Sequence, residues 1–479
     1  LIAKLICLTR KIRIFVKYYK TLYAMKENNG KQKISRRTAL RYMGLGAAVI
    51  PASFYLGGCT KRSDNSRPGP DLTNIPTDKM TYTTLSKTIS LLGFGTMRYP
   101  TVERETPEGI RKFIDEEKAE QLVDYAMAHG INYFDTAWMY HQGESEIVTG
   151  KLLKKYPRNS YYVATKLPGS VKSREDAIAT YHKQLEKLQV DYFDYYHLHS
   201  LSSDAMYERI YKEWGMLDYL LNEKKEGRIR NLGWSFHGDQ PLFDKVLAEP
   251  VEWDFVMIQM NYFDWKYGRV PAEYMYNRLA ERNIPVMIME PLLGSRLAKV
   301  SRAVSEMMQE ERPGDTPAQW AFRFVGSHPQ VMVVLSGMTL IEHLQENIKT
   351  YSPLVPVTDK QKTMLAKAAD IIRTYKIIPC TDCKYCVPCP YGVDIPGILL
   401  YYNKATWDSN LPDLEGPRDA EFKRASRTFL VDYNRAIPEL EQANHCINCG
   451  ECEPTCPQNI KIPADLLKID NLVQQLKTT

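Results

Sequence analysis

The chain has 479 residues, of which 44% are apolar and 25% charged; this excludes a disordered chain or a single small module and fits a large domain followed by a smaller one. The formal net charge is +6, but residues 1–45 hold twelve Lys or Arg against one acid, about +11, so the remainder carries about −5. The basic character belongs to the N-terminal segment, which excludes a nucleic-acid partner as the meaning of the charge.

Residues 1–24 precede Met25 and read as upstream sequence outside the protein proper. The segment "KQKISRRTALRYMGLGAAVIPASFYLGGC" then places Arg36 and Arg37 before an apolar stretch, Gly44 to Gly58, that is too short and too rich in Gly and Ala for a good membrane span. It resembles a twin-arginine export signal, with Ala39 where that motif prefers a large apolar residue. "LGGC", Leu56 to Cys59, resembles a bacterial lipoprotein cleavage box, which implies lipidation of Cys59 and attachment to the cell envelope, periplasmic or membrane-anchored. The plain alternative is a disordered basic tail with a chance cysteine on a cytoplasmic protein. Residues 1–59 are thus read as a leader, and the polar, Pro-containing residues 60–78 as a linker.

From about residue 80 to 350, within a barrel domain read as residues 79–375, short apolar runs alternate with amphipathic helical stretches. The runs are "SLLGFGTM", "NYFDTA", "YYVATK", "FDYYHLH", "IRNLGWSF", "FVMIQMN", "PVMIME" and "QVMVVLSG". Between them "DEEKAEQLVDYAMAHG" puts Leu122, Val123 and Ala126 on one face and stops at Gly130, and "TPAQWAFRFVGSH" opens on a Thr-Pro start signal. Eight such units in roughly 270 residues predict an α/β fold, a (β/α)8 TIM barrel. The rival is an open doubly wound sheet; its glycine-rich turn is replaced here by "GFGTMRYP" after the first strand.

Strand C-termini face the active site in such a barrel. The polar residues there are Asp135, Lys166 and His199, with Tyr140 in the loop beyond Asp135. Alone, each has a plain reading as a cap, a rim charge or a satisfied core group. Their recurrence on consecutive strand ends points to chemistry. "FDTAWMYHQGESE", "ATK" and "DYYHLH" resemble the catalytic signatures of the aldo-keto reductase family. The resemblance implies a barrel that binds an extended nicotinamide dinucleotide without a Rossmann domain. It implies Tyr140 as proton donor to a carbonyl oxygen, Lys166 (held by Asp135) lowering the tyrosine pKa, and His199 orienting and polarising the carbonyl. His197 points to the same side of its strand, but His199 matches the family position.

For the nicotinamide the resemblance implies Gly95, Thr96 and Met97 in the loop after the first strand, Ser235 and Gln259 on the amide, and Met289 against the ring. Phe236 stands where many members carry an asparagine beside Ser235. "LSGMTLIEHLQEN" resembles the adenosine-binding segment, with Ser336, Gly337, Glu346 and Asn347. Gly337 and His343 occupy positions where NADP-preferring members often place cations, so NADP and NAD both remain open.

Eight of the ten cysteines fall in residues 376–479. Cys446, Cys449, Cys452 and Cys456, followed by Pro457, have the C-x2-C-x2-C-x3-C-P spacing of bacterial [4Fe-4S] ferredoxins. Cys380, Cys383, Cys386 and Cys389, followed by Pro390, repeat it one residue shorter. Zinc is the rival, but its sites pair two C-x2-C units across a longer loop. "IPGILLYYNKAT" and "RASRTFLVDYNRAIPELEQAN" between the runs have helical spacing. Together these resemble a small, mainly helical ferredoxin-like module with two [4Fe-4S] clusters, whose fourth cysteines cross between clusters.

Two functions follow. The first is an oxidoreductase: an NAD(P)H-linked carbonyl reductase or alcohol dehydrogenase, with a small carbonyl or alcohol substrate and an external redox partner for the clusters. The second is a non-catalytic electron-transfer or nucleotide-sensing protein built on the same barrel.

Overall fold

The structure, a computed structural model, describes residues 75–76 and 88–478, apart from positions 108, 376 and 409. The leader with Arg36, Arg37 and Cys59, and all of the linker but residues 75–76, lie outside the described residues.

Ten strands follow in chain order: β1 (Leu92–Gly95), β2 (Thr101–Thr106), β3 (Gly109–Ile114), β4 (Tyr133–Asp135), β5 (Tyr162–Leu167), β6 (Phe193–Leu201), β7 (Ile229–Phe236), β8 (Phe255–Gln259), β9 (Val286–Met289) and β10 (Val331–Ser336). Eight close into a parallel barrel in the order β1-β10-β9-β8-β7-β6-β5-β4. Each of the eight apolar runs supplies one barrel strand, so the (β/α)8 expectation holds and the open sheet is excluded.

The alternation of side chains along each strand sorts residues between two cores. Tyr133, Ala164, Tyr195, Phe255, Met257, Met287 and Val333 form the barrel interior. Their chain neighbours Phe134, Val163, Tyr196, Val256, Ile258, Ile288 and Val334 pack outward against the helices. The same two-residue period turns Asp135, Lys166, His197, His199, Gln259 and Met289 inward. The upper end of the barrel is therefore polar because the strand pattern itself makes it so.

The helix Glu116–Ala128 starts where Asp115 accepts from Lys118 N, and it buries Leu122, Val123 and Ala126. Pro317–Gly326 opens on a reciprocal capping box between Thr316 and Gln319. One pair of strands was not read from the sequence: β2 and β3 form an antiparallel hairpin between β1 and the first helix. Its strand β2 is exposed almost throughout, so no apolar alternation marks it. The hairpin instead pairs Glu103 opposite Lys112 and sets Arg104 and Arg111 over the Phe113 ring.

Beyond Ile372 a separate core begins at Ile378. The helices Ile395–Trp407, Ala420–Ala436 and Ile462–Lys477 bury Leu399, Phe429, Tyr433, Leu466 and Ile469 against one another. Asn403 ties the entry strand to this core, accepting from Ile378 N (2.8 Å) and donating to Ile378 O (2.6 Å). All described residues form one compact unit. Among them no helix is long and apolar enough to cross a membrane.

The helices Glu144–Leu153 and Arg174–Leu188 meet so closely at Gly150 that a Cβ there would lie 2.6 Å from the Leu188 backbone. Main chain cannot rotate away as a side chain can. Gly150→Ala is therefore expected to lower unfolding stability by about 1–3 kcal/mol, read from urea denaturation followed by circular dichroism; an unchanged midpoint would show that the helices are free to separate.

Candidate active site

Lys166 is the centre of the barrel mouth. Its Nζ donates to Asp135 Oδ1 (2.6 Å) and to Thr136 O (2.6 Å), and both charged side chains are at most 3% exposed. The ammonium also stands 5.1 Å from the centroid of the Tyr140 ring. Tyr140 opens the short turn Tyr140–Gly143 after β4, and its ring meets His199 edge-on at 6.5 Å. The structure thus brings Asp135, Tyr140, Lys166 and His199 to one place. His197 lies deeper, fully buried against Phe255, with Nε2 3.8 Å from Asp135 Oδ2. Neither His197 nitrogen has a hydrogen-bond partner among the described residues.

A buried network that sequence reasoning missed supports this group. The fully buried Glu146 accepts from Thr165 Oγ1, Gln184 Nε2 and Lys187 Nζ, each at 2.7 Å. Gln184 also donates to Lys166 O (2.9 Å) and accepts from Tyr196 (2.7 Å), which fixes the end of β5. The signal for it was present in "GESE", where the acid Glu146 lies in a helix that also buries Val148, Leu152 and Leu153.

The electrostatics differ from expectation at Tyr140. Burial, then the neighbouring Tyr385 and Asp135, push its phenol well above the ordinary tyrosine range. The net direction is opposite to the lowering expected from Lys166, because burial outweighs it. His199 is pushed well below the ordinary histidine range by burial, then by Lys166 and His237. At neutral pH the site therefore presents a protonated phenol and a neutral imidazole.

Tyr385, from the loop between Cys383 and Cys386, enters the site. Tyr140 and Tyr385 both flank His199, with ring centroids 6.5 and 6.2 Å from the imidazole, and the Tyr385 hydroxyl lies 3.3 Å from His199 Nε2. No periodicity or motif marks this tyrosine.

The expected nicotinamide residues divide into two groups. Gly95, Met97, Met289, Ser336 and Gly337 line one cavity of about 140 Å³ together with Asp135 and Tyr140. The others are engaged in the fold. The Thr96 hydroxyl donates to Asp135 O (3.0 Å) and pairs with Ser145, joining β1 to β4. Ser235 Oγ accepts from Ser200 N (2.7 Å). Glu346 binds the Thr316 hydroxyl, and Asn347 donates to Ser336 Oγ (3.0 Å). Phe236 turns into the core against Trp234 and Phe243. Gln259 donates to Asp264 (2.7 Å) and accepts from Gln458 Nε2 (3.0 Å), a residue of the cysteine-rich domain. The barrel's own residues fit the nicotinamide end in kind; side chains of the second domain fill part of the space.

The cysteines surround two chambers. Cys380, Cys383, Cys386 and Cys456 line one, and Cys386, Cys389, Cys446, Cys449 and Cys452 line the other. Cys456 lies near enough to bias the charge of Cys380, Cys383 and Cys386, and Cys389 does the same to Cys452. Burial pushes the Cys380 thiol up to about 11 and the Cys386 thiol up to about 12. All eight are free of disulfides, and among the described residues no three His, Cys, Asp or Glu converge on a single-ion site. Four thiols spread around a chamber suit a multi-iron cluster, whereas zinc draws its ligands to about 2.3 Å from one point.

Residues 91–370 match the family model described as the Aldo/keto reductase family, and residues 379–462 match that of a 4Fe-4S dicluster domain. The chain is similar to the uncharacterized oxidoreductase YqkF of Bacillus subtilis, 26% identical over 269 residues, covering 49% of this chain and 82% of that protein. It is similar to the L-galactose dehydrogenase of Arabidopsis thaliana, 25% identical over 280 residues, covering 52% and 83%. Among solved structures, the holo form of aldo-keto reductase AKR11C1 from Bacillus halodurans aligns over 60% of this chain and 96% of its own, with 23% identity and a TM-score of 0.49.

The pairing of Cys456 with the first cysteine run has a direct test. With a cluster loaded in each chamber, Cys456→Ser is expected to alter the electron paramagnetic resonance signal of the one lined by Cys380, Cys383 and Cys386 more than that of the other. A change confined to the cluster of Cys446, Cys449 and Cys452 would show that each run serves itself.

Proposed function

Because the chain belongs to the aldo/keto reductase family through residues 91–370, we propose that it interconverts a small carbonyl compound and its alcohol at Tyr140, with NAD or NADP as hydride carrier. The observation that carries this reading is the gathering of Tyr140 and His199, their rings edge-on at 6.5 Å, beside the buried Lys166–Asp135 pair, with the Lys166 ammonium 5.1 Å from the Tyr140 ring.

In the reducing direction the Tyr140 hydroxyl donates its proton to the carbonyl oxygen, and His199 holds that oxygen in line. A bound nicotinamide supplies the hydride, two electrons and one hydrogen, to the carbonyl carbon. As Tyr140 loses its proton, the Lys166 ammonium beside its ring stabilises the phenolate; preorganised charge of this kind costs no reorganisation during reaction. The proton is restored from solvent, and the bonds balance as C=O plus hydride plus proton to an alcohol. With Gly337 and His343 in the adenosine segment, we propose little preference between NAD and NADP.

The 4Fe-4S dicluster domain, residues 379–462, is proposed to hold two clusters, which exchange single electrons with an external redox partner. We further propose export through Arg36 and Arg37 and lipidation of Cys59, which would set that partner at the cell envelope. The engagement of Gln259 by Gln458 favours one second reading, a nucleotide-sensing protein whose barrel opens only on a signal.

Tyr140→Phe is expected to leave nucleotide binding nearly intact and to lower carbonyl turnover by about 10² or more, as loss of a positioned acid does; normal turnover would remove Tyr140 from its role. A hydride carries two electrons and a cluster accepts one. Mixed anaerobically with cluster-loaded, flavin-free protein, NADH or NADPH alone is therefore expected to leave the cluster absorbance unbleached over one turnover. Full bleaching in that time would show that the barrel feeds the clusters directly.

A further inference from the structure

Tyr385 stands between two cavities. On the nucleotide side is the cavity of about 140 Å³, and on the side of the β2–β3 hairpin is a larger one of about 600 Å³. Tyr140, Cys383 and Tyr385 line both. Met97 and Arg98 line both as well, so the Tyr385 phenol is one part of the wall between them.

Its contacts are those of a reactant. The Tyr385 hydroxyl shares the site with Tyr140, whose ring, like that of Tyr385, meets His199 edge-on, at 6.5 Å against 6.2 Å. The Tyr385 oxygen lies 3.3 Å from His199 Nε2. An alcohol bound for oxidation, or just formed by reduction, would meet the same two side chains. Gln458 repeats the arrangement at the other end. Its side-chain amide donates to Gln259 Oε1 at 3.0 Å, as the carboxamide of a nicotinamide would.

We propose that Tyr385 and Gln458 of the dicluster domain occupy the barrel's substrate-oxygen and nicotinamide-amide contacts, and that substrate and dinucleotide gain the site by displacing them together. This rests on the carbonyl–alcohol reading above. The domain is built to be displaced. Its core is separate from that of the barrel. At the mouth it is held by exchangeable polar contacts: Arg98 pairs with Asp382 (3.0 Å) and donates to Thr381 O (2.9 Å). Gly294, at φ +63°, lets the Thr381 backbone approach where any Cβ would clash. Domains joined by polar surfaces move relative to one another by default. The contacts that Tyr385 and Gln458 give up on opening are replaced by ones to the ligand, which offsets part of the cost.

The apparent affinity of a ligand falls by the fraction of protein that is open. Loosening the closed state therefore tightens binding. The test uses full-length, cluster-loaded protein and measures NADH and NADPH binding by fluorescence titration for wild type, Gln458→Ala, Tyr385→Phe and Asp382→Asn. Asparagine suits position 382, where φ is +56°. The iron content of each variant reports that the loop has folded.

Each variant is expected to bind dinucleotide about fivefold to tenfold more tightly than wild type, the size of one lost hydrogen bond. In wild type, saturating NADPH is expected to raise hydrogen exchange at residues 380–390. Wild-type affinity in all three variants, with unchanged exchange, would overturn the displacement while leaving carbonyl chemistry at Tyr140 intact. Weaker binding in the variants would show that these residues assist the nucleotide, and would overturn it equally. Absence of binding in every protein would overturn both, since nothing would then be held out.

Discussion

The buried pair of Lys166 and Asp135 is the constraint on which the site depends. Two charges at most 3% exposed are tolerated in a barrel interior only when each has a close partner, and removing one of such a pair costs about 3–5 kcal/mol. The ends of β4 and β5 must therefore stay in register, and the second bond of Lys166, to Thr136 O, closes the arrangement. Once Lys166 is fixed, its distance to the Tyr140 ring is fixed too. Glu146 and Gln184 hold the outer side of β5 in the same way.

The second domain gives this barrel its character. A reductase barrel with an open mouth would admit nucleotide and substrate freely. Here the loop that carries Cys380, Cys383 and Cys386 also carries Asp382 and Tyr385 into the mouth. The cysteine loop and the candidate site share a stretch of seven residues, 380–386. Any movement of Tyr385 through the main chain also moves thiols of one chamber, whereas rotation of its side chain does not. The fold thus offers two routes of opening, which differ in whether the cysteine loop is disturbed.

Much of the barrel was legible because its chemistry follows period. The two-residue alternation of "NYFDTA" and "FDYYHLH" places Asp135 and His199 inward without any knowledge of the neighbours. The hairpin β2–β3 was not legible, since it is charged and exposed and no apolar stripe announces it. Thr96, Ser235, Glu346 and Asn347 matched a nucleotide pattern, yet their polar atoms are spent on strand ends and helix caps, a choice made by tertiary neighbours. Tyr385 and Gln458 were invisible for the same reason. Their partners lie 186 and 199 residues away, and the cysteine spacing around them accounts for the local sequence without them.

Under the proposed chemistry, electrons reach a carbonyl carbon as a hydride beside Tyr140 and not singly from the clusters. The measurement that separates these is a single turnover with NADH or NADPH deuterated at the transferring C4 position, in ordinary water, with the alcohol product analysed by mass spectrometry. The account predicts one deuterium on the former carbonyl carbon and clusters left oxidised. A product carrying only solvent hydrogen at that carbon, formed as the clusters change oxidation state, would contradict it.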